Sequence, residues 1–217
     1  MDSSVTILGN RLSYLNNILH ELRDEEIQKD RLRFRFNLER MGEIMAYEIS
    51  KHLSFTTQET TTPLGELEVK VLEQQPILVS VLRAGVPLHQ GFLRMFDRAD
   101  NGFISAYRHI TRGNEFVIKI EYTSVPPITG RDLIMIDPMI ATGRSLVEAY
   151  KQIQALGEPG NLFIAGAIAS EEGIAYVRRN IPQSQVFIGA VDKELTAKSY
   201  IVPGLGDAGD LAYGPKH

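Results

Sequence analysis

The strongest constraint on the fold is a set of four short apolar segments in the second part of the chain. They read ILVSVL, LIMID, LFIAGAIA and VFIGAVD, and almost no polar residue interrupts them. A half-exposed strand alternates apolar with polar residues, whereas a strand covered on both faces is continuously apolar. These segments therefore predict buried strands of a parallel sheet.

Amphipathic helices are predicted between these strands. In SLVEAYKQIQAL, one helical face contains Leu146, Tyr150, Ile153 and Leu156. SEEGIAYVRRNI begins with Ser170 as a helix cap, followed by acidic residues. Strands that alternate with helices are typical of an α/β fold with a central, mostly parallel sheet flanked by helices.

The first quarter of the chain shows helical periodicity instead. Leu12, Leu15, Leu19 and Leu22 share one face of a first helix. A second helix, capped by Asp24, is predicted to run through EEIQKDRLRFRFNLERMGEIMAYEISKHL. The apolar face of this second helix, expected to pack in the core or against another subunit, is formed by Phe34, Leu38, Met41, Met45 and Ile49.

Two further segments have strand-like patterns. In TTTPLGELEVKVLE, Leu67, Val69 and Val71 alternate with polar residues after Pro63 and Gly65, which predicts a hairpin arm. Farther along, FISAYR is predicted as a core strand and FVIKIEYTSV as an extended arm, with HITRGNE as a mobile loop between them. We find no internal repeat or linker, and we expect residues 1–217 to form one domain.

Composition argues against several classes of function. A net charge of -4 speaks against nucleic acid as the main partner, because neutralising phosphates requires a clustered basic surface. The chain has no cysteine, which excludes disulfides and thiolate metal sites. MDSSVTILGN lacks the features of a signal peptide, and the longest apolar run is too short to span a bilayer. We therefore expect a cytoplasmic protein without membrane segments.

A candidate phosphate site follows the strand LIMI. Ligands of open α/β sheets bind beyond the carboxyl ends of the strands, and here the chain continues as DPMIATGRS before a helix begins. Amides and hydroxyls of Thr142, Gly143, Arg144 and Ser145 can hold a phosphate monoester there. Asp137 can accept hydrogen bonds from sugar hydroxyls. The lysine element of a Walker A loop is absent, and a simple helix cap is the alternative.

Two arginines follow other predicted strands. Arg83 comes after ILVSVL in the segment VLRAG, and Arg108 comes after FISAY. The guanidinium fork suits the oxygens of a diphosphate. The shared position at strand ends therefore predicts a second anionic group, and surface ion pairs are the alternative.

Near the C-terminus, PGLGDAG places Gly204, Gly206 and Gly209 at the G-x-G-x-x-G spacing of a dinucleotide-binding turn. That interpretation needs a helix and a second strand afterwards, and DLAYGPKH is too short for them. The alternatives are a C-terminal turn and a loop whose glycines let the backbone approach a ligand while exposing Asp207.

Together these motifs resemble a known family. DPMIATGRS resembles the phosphoribosyl-pyrophosphate (PRPP) motif of type I phosphoribosyltransferases, and with VLRAG and YIVPGLGDAGD the chain resembles their uracil phosphoribosyltransferase branch. The similarity runs from about Leu22 to Gly214. It implies the type I phosphoribosyltransferase fold, with N-terminal helices and a β-arm over 1–75, a core over 76–192 and a uracil-binding hood over 193–217.

The resemblance also implies roles for individual residues. Those implied to be catalytic are Asp207, Arg83 and Arg108. Those implied to bind PRPP are Arg83, Arg108, Asp137, Pro138, Met139, Ile140, Ala141, Thr142, Gly143, Arg144, Ser145 and Asp207. Those implied to bind uracil, mostly through backbone groups, are Ile201, Gly206, Asp207 and Ala208.

The implied reaction joins uracil to PRPP and gives UMP and pyrophosphate, a step of pyrimidine salvage. Mg2+ is expected to arrive with PRPP, since the sequence shows no dense carboxylate cage. The resemblance further implies a homodimer or higher homo-oligomer and leaves a GTP activator open.

The sequence departs from the family pattern near the implied site. Arg144 stands where the family has a second glycine, and Gln90 where it usually has aspartate. Thr196 and Ala197 replace an Asn-Glu pair, and the tail reads LAYG instead of Arg/Lys-x-Phe-Gly. An arginine at position 144 suits a helix N-terminus but not a backbone that needs positive φ.

Two other functions stay open at this point. One is a nucleotide-sensing regulator of this fold that binds RNA through the arginines and aromatic residues of DRLRFRF, although a subunit interface or a solvated helix face is the simpler interpretation of that segment. The other is a phosphoribosyltransferase for another nucleobase. The acidic net charge counts against the regulator.

Overall fold

The computed structural model describes residues 4–110 and 116–215, with the side chains of all of these except 108–110, 116 and 117. In chain order the strands are β1 (Val5–Ile7), β2 (Phe55–Thr62), β3 (Gly65–Leu72), β4 (Ile77–Leu82), β5 (Asp100–Ile110), β6 (Phe116–Ser124), β7 (Leu133–Ile136), β8 (Met139–Ile140), β9 (Leu162–Ser170), β10 (Gln185–Asp192), β11 (Glu194–Leu195) and β12 (Ile201–Val202). The helices are α1 (Tyr14–Arg23), α2 (Arg31–Ser50), α3 (Gly85–Met95), α4 (Arg144–Gln154), α5 (Glu171–Asn180) and α6 (Ala208–Tyr213).

The central sheet has the strand order β1-β10-β9-β7-β4-β5-β6, with β8 beside β9. Its pairings are parallel except the one between β5 and β6. The four apolar segments form β4, β7, β9 and β10, and every residue of β9 is buried. The predicted α/β fold with a central, mostly parallel sheet is therefore confirmed.

Helices cover both faces of this sheet, because alternate side chains of each strand point to opposite faces. In β4, Leu78 belongs to the core formed with α1, α2 and α3, whereas Ile77 and Val79 belong to the core formed with α4 and α5. Among the described helices, none has the length and apolar character needed to cross a membrane. The residues predicted for the core face of the second helix are all buried, namely Phe34, Leu38, Met41, Met45 and Ile49.

The two N-terminal helices begin later than the sequence predicted. Ser13 caps α1 in a capping box with Asn16, so Leu12 lies outside the helix and is 99% exposed. Asp24 follows the end of α1 and accepts hydrogen bonds from two amides of the next turn. Asp30, and not Asp24, caps α2. A helix starts where a side chain can accept its free amides, and apolar periodicity alone does not locate that residue.

Three other segments differ from the prediction. Val5–Ile7 lies in the quarter predicted to be helical, yet it forms edge strand β1 beside β10. Leu156 lies beyond the end of α4 and is 39% exposed. Helix α3 has no counterpart among the predicted elements, because Gly85, Pro87 and Gly91 within it weaken its helical signal.

The two predicted arms take different forms. β2 and β3 form a separate two-stranded antiparallel hairpin, as predicted. β6 instead belongs to the central sheet, because it pairs antiparallel with residues 103–110 of β5, whereas β4 pairs with β5 only as far as Ser105. This pairing continues β5 to Ile110, so Arg108 lies within a strand and not at its end. Of the predicted mobile loop, residues 111–115 lie outside the described residues.

Helices α2 and α3 cross at a pair of glycines. A Cβ added at Gly91 would lie 2.0 Å from the carbonyl oxygen of Glu39, and one added at Gly42 would lie 2.2 Å from that of Leu88. Arg94 binds across the same crossing through an ion pair with Glu39 at 2.6 Å. Because the close contacts are to backbone atoms, neither helix can accept a methyl group without shifting.

We expect Gly91→Ala to destabilise the protein by about 1–3 kcal/mol, the usual cost of forcing a methyl group into a packed contact. Gln90→Ala is the matched control, because Gln90 is exposed on the same helix and such surface changes stay within about 0.5 kcal/mol. Chemical unfolding measures both variants. Equal stability of the two proteins would contradict a tight helix crossing.

Candidate active site

A cavity of about 390 Å3 lies at the carboxyl ends of β4 and β7, where an open α/β sheet binds its ligands. A second recess of about 30 Å3 lies within the loop that follows β7. The predicted site residues that line the larger cavity are Arg83, Asp137, Met139, Ala141, Ser145, Ile201, Gly206, Asp207 and Ala208. Those that line only the smaller recess are Ile140, Thr142 and Gly143. The fold thus brings the DPMIATGRS and PGLGDAG segments to one place.

Two predicted residues with described side chains line neither cavity. Pro138 is buried and Arg144 is exposed, and neither is among the described residues that line a cavity. The backbone of Arg108 pairs with Ile118 of β6. The side chain of Arg108 lies outside the described residues, so its predicted role stays a prediction.

The loop after β7 leaves the first turn of α4 open. Gly143 precedes the helix with a φ of 71°, a conformation that favours glycine. Gly143, at the N-cap, has no side chain to accept the helix amides, Thr142 Oγ1 accepts the amide of Arg144 at a long 3.5 Å, and the first turn contains no acidic residue. Helix α5, by contrast, is capped by Ser170 and has Glu171 and Glu172 in its first turn. The N-terminus of α4 can therefore attract an anion, whereas the acidic residues of α5 repel one.

The start of α5 supports this loop from behind. Ser170 Oγ donates a hydrogen bond to the carbonyl of Ala141 at 2.6 Å and accepts one from the amide of Gly173 at 2.8 Å. A Cβ added at Gly143 would lie 2.7 Å from the carbonyl oxygen of Gly173, and one added at Gly173 would lie 2.3 Å from that of Ala141. The loop after β7 therefore packs directly against the backbone of α5, and this packing holds the loop in one conformation.

Asp137 lies at the tip of β7 and is half-buried. One of its oxygens accepts a hydrogen bond from the amide of Met139 at 3.2 Å. Burial raises the pKa of Asp137 to about 7, against the opposing effect of that hydrogen bond. A carboxylate with so few donors around it is stabilised by any polar ligand that supplies more.

Arg83 follows β4 and is held by the C-terminal segment of the chain. Its Nη2 donates to Asp210 Oδ1 at 3.0 Å and to the carbonyl oxygen of Gly214 at 3.3 Å. Its Nε is buried and has no partner among the described residues. Leaving a buried donor unpaired costs free energy, so an acceptor from a ligand would be favoured at this position.

The hood, which comprises residues 193–215 of the described chain, is tied to the sheet by Arg23. This arginine of α1 makes two hydrogen bonds to the carboxylate of Asp192, both at 2.8 Å, and one to the carbonyl of Gly204 at 2.9 Å. Asp192 also accepts the amide of Gly204 at 2.9 Å. A further bond joins Arg35 of α2 to the carbonyl of Ala212 at 2.8 Å. The glycine loop is thereby fixed beside the sheet.

The glycine motif has no dinucleotide-binding context. Strand β12 pairs antiparallel with β11, outside the central sheet, whereas a dinucleotide turn follows a strand of a parallel sheet. A short helix, α6, does follow, contrary to the prediction. Asp207 caps it by accepting the amide of Asp210 at 3.0 Å. The expectation of an exposed Asp207 was wrong, because this capping bond keeps the side chain half-buried.

Polar residues without a predicted role also line the cavity. They are Tyr107, Lys198, Ser199 and Tyr200. Tyr107 lies on the part of β5 that extends beyond β4, and that extension depends on pairing with β6. The other three lie just before the segment IVPGLG, and this adjacency was the only sequence signal for them.

The structure accommodates the departures from the family pattern. Arg144 is the first residue of α4 and has no positive φ, so the substitution is unstrained. Gln90 is exposed on α3, and it lines neither of the two cavities described above. Thr196 closes the turn between β11 and β12, since its Oγ1 accepts the amide of Tyr200 at 3.1 Å. Ala197 is exposed in the same turn.

Comparisons with known sequences agree on one family. The sequence model described as uracil phosphoribosyltransferase matches residues 12–215. A uracil phosphoribosyltransferase of Porphyromonas gingivalis is 50% identical over 210 residues, which cover 96% of this chain and 97% of that protein. One of Pyrococcus furiosus is 36% identical, over 93% of this chain and 86% of that protein.

A solved structure shares the fold over almost the full length. The AQ2163 protein of Aquifex aeolicus has a TM-score of 0.86 at 28% sequence identity, over 97% of this chain and 98% of that one. The family match covers both motifs that meet at the cavity. This chain belongs to the uracil phosphoribosyltransferase family.

Proposed function

We propose that this protein transfers the 5-phosphoribosyl group of PRPP to uracil, giving UMP and pyrophosphate, as a glycosyltransferase of pyrimidine salvage. The observation that supports this most directly is the one cavity shared by the loop after β7 and the glycine loop of the hood. Two substrates that react with each other need adjoining sites, and holding them in contact supplies a large part of the rate.

The proposed uracil site is the hood side of the cavity, where Ile201, Gly206, Asp207 and Ala208 lie. Gly206 has a φ of 96°, so the backbone here adopts a turn that a side chain would resist. Uracil presents an N–H donor between two carbonyl acceptors, which backbone groups can match. Cytosine carries an amino group in place of one carbonyl and would leave buried groups unpaired, so the site would reject it.

The proposed PRPP site is the sheet side of the cavity. The 5′-phosphate binds the amides and hydroxyls of residues 141–145, the ribose hydroxyls bind Asp137, and the diphosphate binds Arg83 and Arg108. The glycine at the N-cap of α4 and the unpaired Nε of Arg83 support these assignments. Residues 138–140 join Asp137 to the phosphate loop and keep the two contacts in register.

The proposed chemistry is a displacement at the anomeric carbon of the ribose. The bond to the pyrophosphate oxygen breaks while the bond to uracil N1 forms, through an oxocarbenium-like state. The N1–H bond of uracil breaks in the same reaction, and its proton is released to water. Arg83 and Arg108 offset the charge on the departing pyrophosphate, and the hood holds uracil N1 close to the carbon. Asp207 lines the cavity and belongs to both proposed substrate sites, which suits its proposed catalytic role.

Mg2+ is proposed to enter with PRPP. Within the described residues no group of three or more His, Cys, Asp or Glu side chains could hold a metal ion. The available protein donors are the carboxylates of Asp137 and Asp207, both in the cavity wall, and the diphosphate oxygens would complete the shell. When bound, the cation neutralises diphosphate charge.

An assay of pyrophosphate release from PRPP tests the activity, with uracil as acceptor and with cytosine and purine bases in parallel. Release with another base alone would replace the proposed substrate, and no release with any base would overturn the proposal.

The RNA-binding regulator has little support, because Arg33 is paired with Glu21 at 2.6 Å and Arg35 is bound to the hood. Two of the three arginines of DRLRFRF are therefore already engaged.

The assembly and location of the protein are also proposed. The β2–β3 arm exposes Phe55, Leu64 and Leu67, which favours burial against a second copy in a homodimer or higher oligomer. We propose a cytoplasmic location, because a chain without cysteine suits a reducing compartment. GTP is proposed as an activator on the family resemblance alone. One buried cluster joins residues of α2, β9 and the hood, which supports the proposal that 1–217 is one domain.

We expect Asp207→Asn to lower the catalytic rate by about 10- to 150-fold, the loss of one charge-assisted contact. Asn caps a helix as well as Asp does, so the melting temperature should stay close to that of the parent protein. Asp207→Ala should lose the same activity and about 1 kcal/mol of stability as well. If Asp207→Asn keeps full activity, Asp207 serves only as the cap of α6.

We expect Arg144→Gly to change kcat/KM by less than about fivefold, because an exposed charge contributes under about 1 kcal/mol. Gly143→Ala is the informative contrast, since its Cβ would meet the carbonyl of Gly173 at 2.7 Å and its φ is positive. That variant should lose more than about tenfold in kcat/KM for PRPP. A larger loss from Arg144→Gly than from Gly143→Ala would show that Arg144 is a ligand.

We expect Asp137→Asn to raise the melting temperature at pH 8. The pKa of Asp137 is about 7 in the folded protein and 3.8 ordinarily, so between these values the folded state holds a proton that the unfolded chain has lost. The stability contribution of this group therefore falls as pH rises through that window. The advantage of Asp137→Asn should shrink as the pH is lowered from 8 to 5 in thermal melts. A difference that is constant with pH would contradict the raised pKa.

A further inference from the structure

The side chain of Arg83 is bound by the hood from outside the cavity. Asp210 of α6 accepts from its Nη2 at 3.0 Å, and the carbonyl of Gly214 accepts from the same nitrogen at 3.3 Å. Arg83 lines the cavity, whereas Asp210 is not among the described residues that do. Asp210 therefore touches the proposed diphosphate ligand Arg83 without being placed to touch the substrate itself.

Helix α6 leaves space for the side chain of Arg83. A Cβ added at Gly209 would lie 3.7 Å from Arg83 Nη2 and 3.2 Å from Asp207 Oδ1. The glycine thus leaves the side of α6 open between Asp207 and the guanidinium group. Asp207, by capping the amide of Asp210, fixes the first turn on which that carboxylate sits.

The ion pair between Arg83 and Asp210 is too exposed to contribute much to the stability of the folded protein. Their side chains are 37% and 40% exposed, and ion pairs of this kind stabilise proteins very little. Its other effect is geometric, because an arginine side chain has many rotamers and the two bonds to Nη2 select one. The buried Nε, which has no partner within the described part of the chain, is then left for an acceptor from a ligand.

We propose that Asp210 is a positioning residue, which holds the Arg83 guanidinium in the orientation that binds the diphosphate of PRPP. This inference rests on the proposed function, in which Arg83 is a diphosphate ligand. It also links the two ends of the cavity, since Asp210 and the proposed uracil contacts belong to the same hood. A shift of the hood would move both the base site and Arg83.

Asp210→Asn tests the proposal, because it keeps the shape of the side chain and removes the charge that orients Arg83. We expect KM for PRPP to rise about tenfold, with KM for uracil changed less than twofold and the melting temperature retained. Asp210→Glu restores the carboxylate and should recover part of the loss. Glu194→Gln is the charge-matched control, since it removes one exposed carboxylate from β11 of the hood, and it should leave both constants unchanged.

A double-mutant cycle separates positioning from a general effect on the hood. If Asp210 acts through Arg83, then Asp210→Asn should have almost no further effect on KM for PRPP in an Arg83→Ala background. Additive losses would overturn the proposal, and so would kinetics of Asp210→Asn that match the parent protein. A loss that appears equally in both KM values, with a lower melting temperature, would assign Asp210 a structural role instead.

Binding of pyrophosphate alone distinguishes failure of this inference from failure of the proposed function. Calorimetric titration of pyrophosphate with Mg2+ needs no turnover and no base, and we expect about tenfold weaker binding to Asp210→Asn. If the parent protein releases no pyrophosphate from PRPP with uracil but binds pyrophosphate more tightly than Asp210→Asn does, the proposed function fails and the positioning role stands. If Asp210→Asn and the parent protein bind pyrophosphate equally, the positioning role fails whatever the activity.

Discussion

The shape of the site depends on the contact between Arg23 and Asp192. Arg23 belongs to the first helix, Asp192 ends the last strand of the core, and Gly204, which both of them bind, begins the glycine loop. A forked arginine–carboxylate contact is among the stronger polar interactions in proteins. Asp192 is only 8% exposed, so removing Arg23 would leave a mostly buried charge unpaired. This contact fixes the position of the hood relative to the sheet, and the two ends of the cavity therefore keep a fixed separation.

Backbone packing fixes the shape of the loop after β7, just as the contacts of Arg23 fix the position of the hood. A Cβ at Gly143 would clash with the carbonyl of Gly173, and a Cβ at Gly173 would clash with the carbonyl of Ala141. Ser170, the cap of α5, also donates a hydrogen bond to the carbonyl of Ala141. A site built from backbone amides needs this rigidity, because amides cannot be reoriented as side chains can. The loop can therefore accept Arg144 in place of glycine, since residue 144 is exposed at the start of α4 and has no positive φ.

Three locally unfavourable features meet at the cavity. Asp137 has a raised pKa, Arg83 has a buried Nε without a partner in the described chain, and Ser199 has a φ of 61°. If folding were the only requirement, the protein would be more stable without these three features. All three residues line the same cavity. Unsatisfied and strained groups gather where a protein is organised around a ligand. The ligand supplies what the fold leaves out: donors to the carboxylate and an acceptor for the arginine.

The sequence by itself determined the α/β fold and both motifs of the site, because strand apolarity, helix periodicity and loop chemistry are local patterns. It could not distinguish Asp24 from Asp30 as a helix cap, since either side chain can accept free amides until packing fixes where the helix starts. Only the tertiary structure decided that Asp207 caps α6, that Tyr107 reaches the cavity and that Arg83 is held by Asp210. Those contacts join residues distant in the chain, and their approach is set by the order of strands in the sheet and by the docking of the hood, neither of which a local pattern encodes.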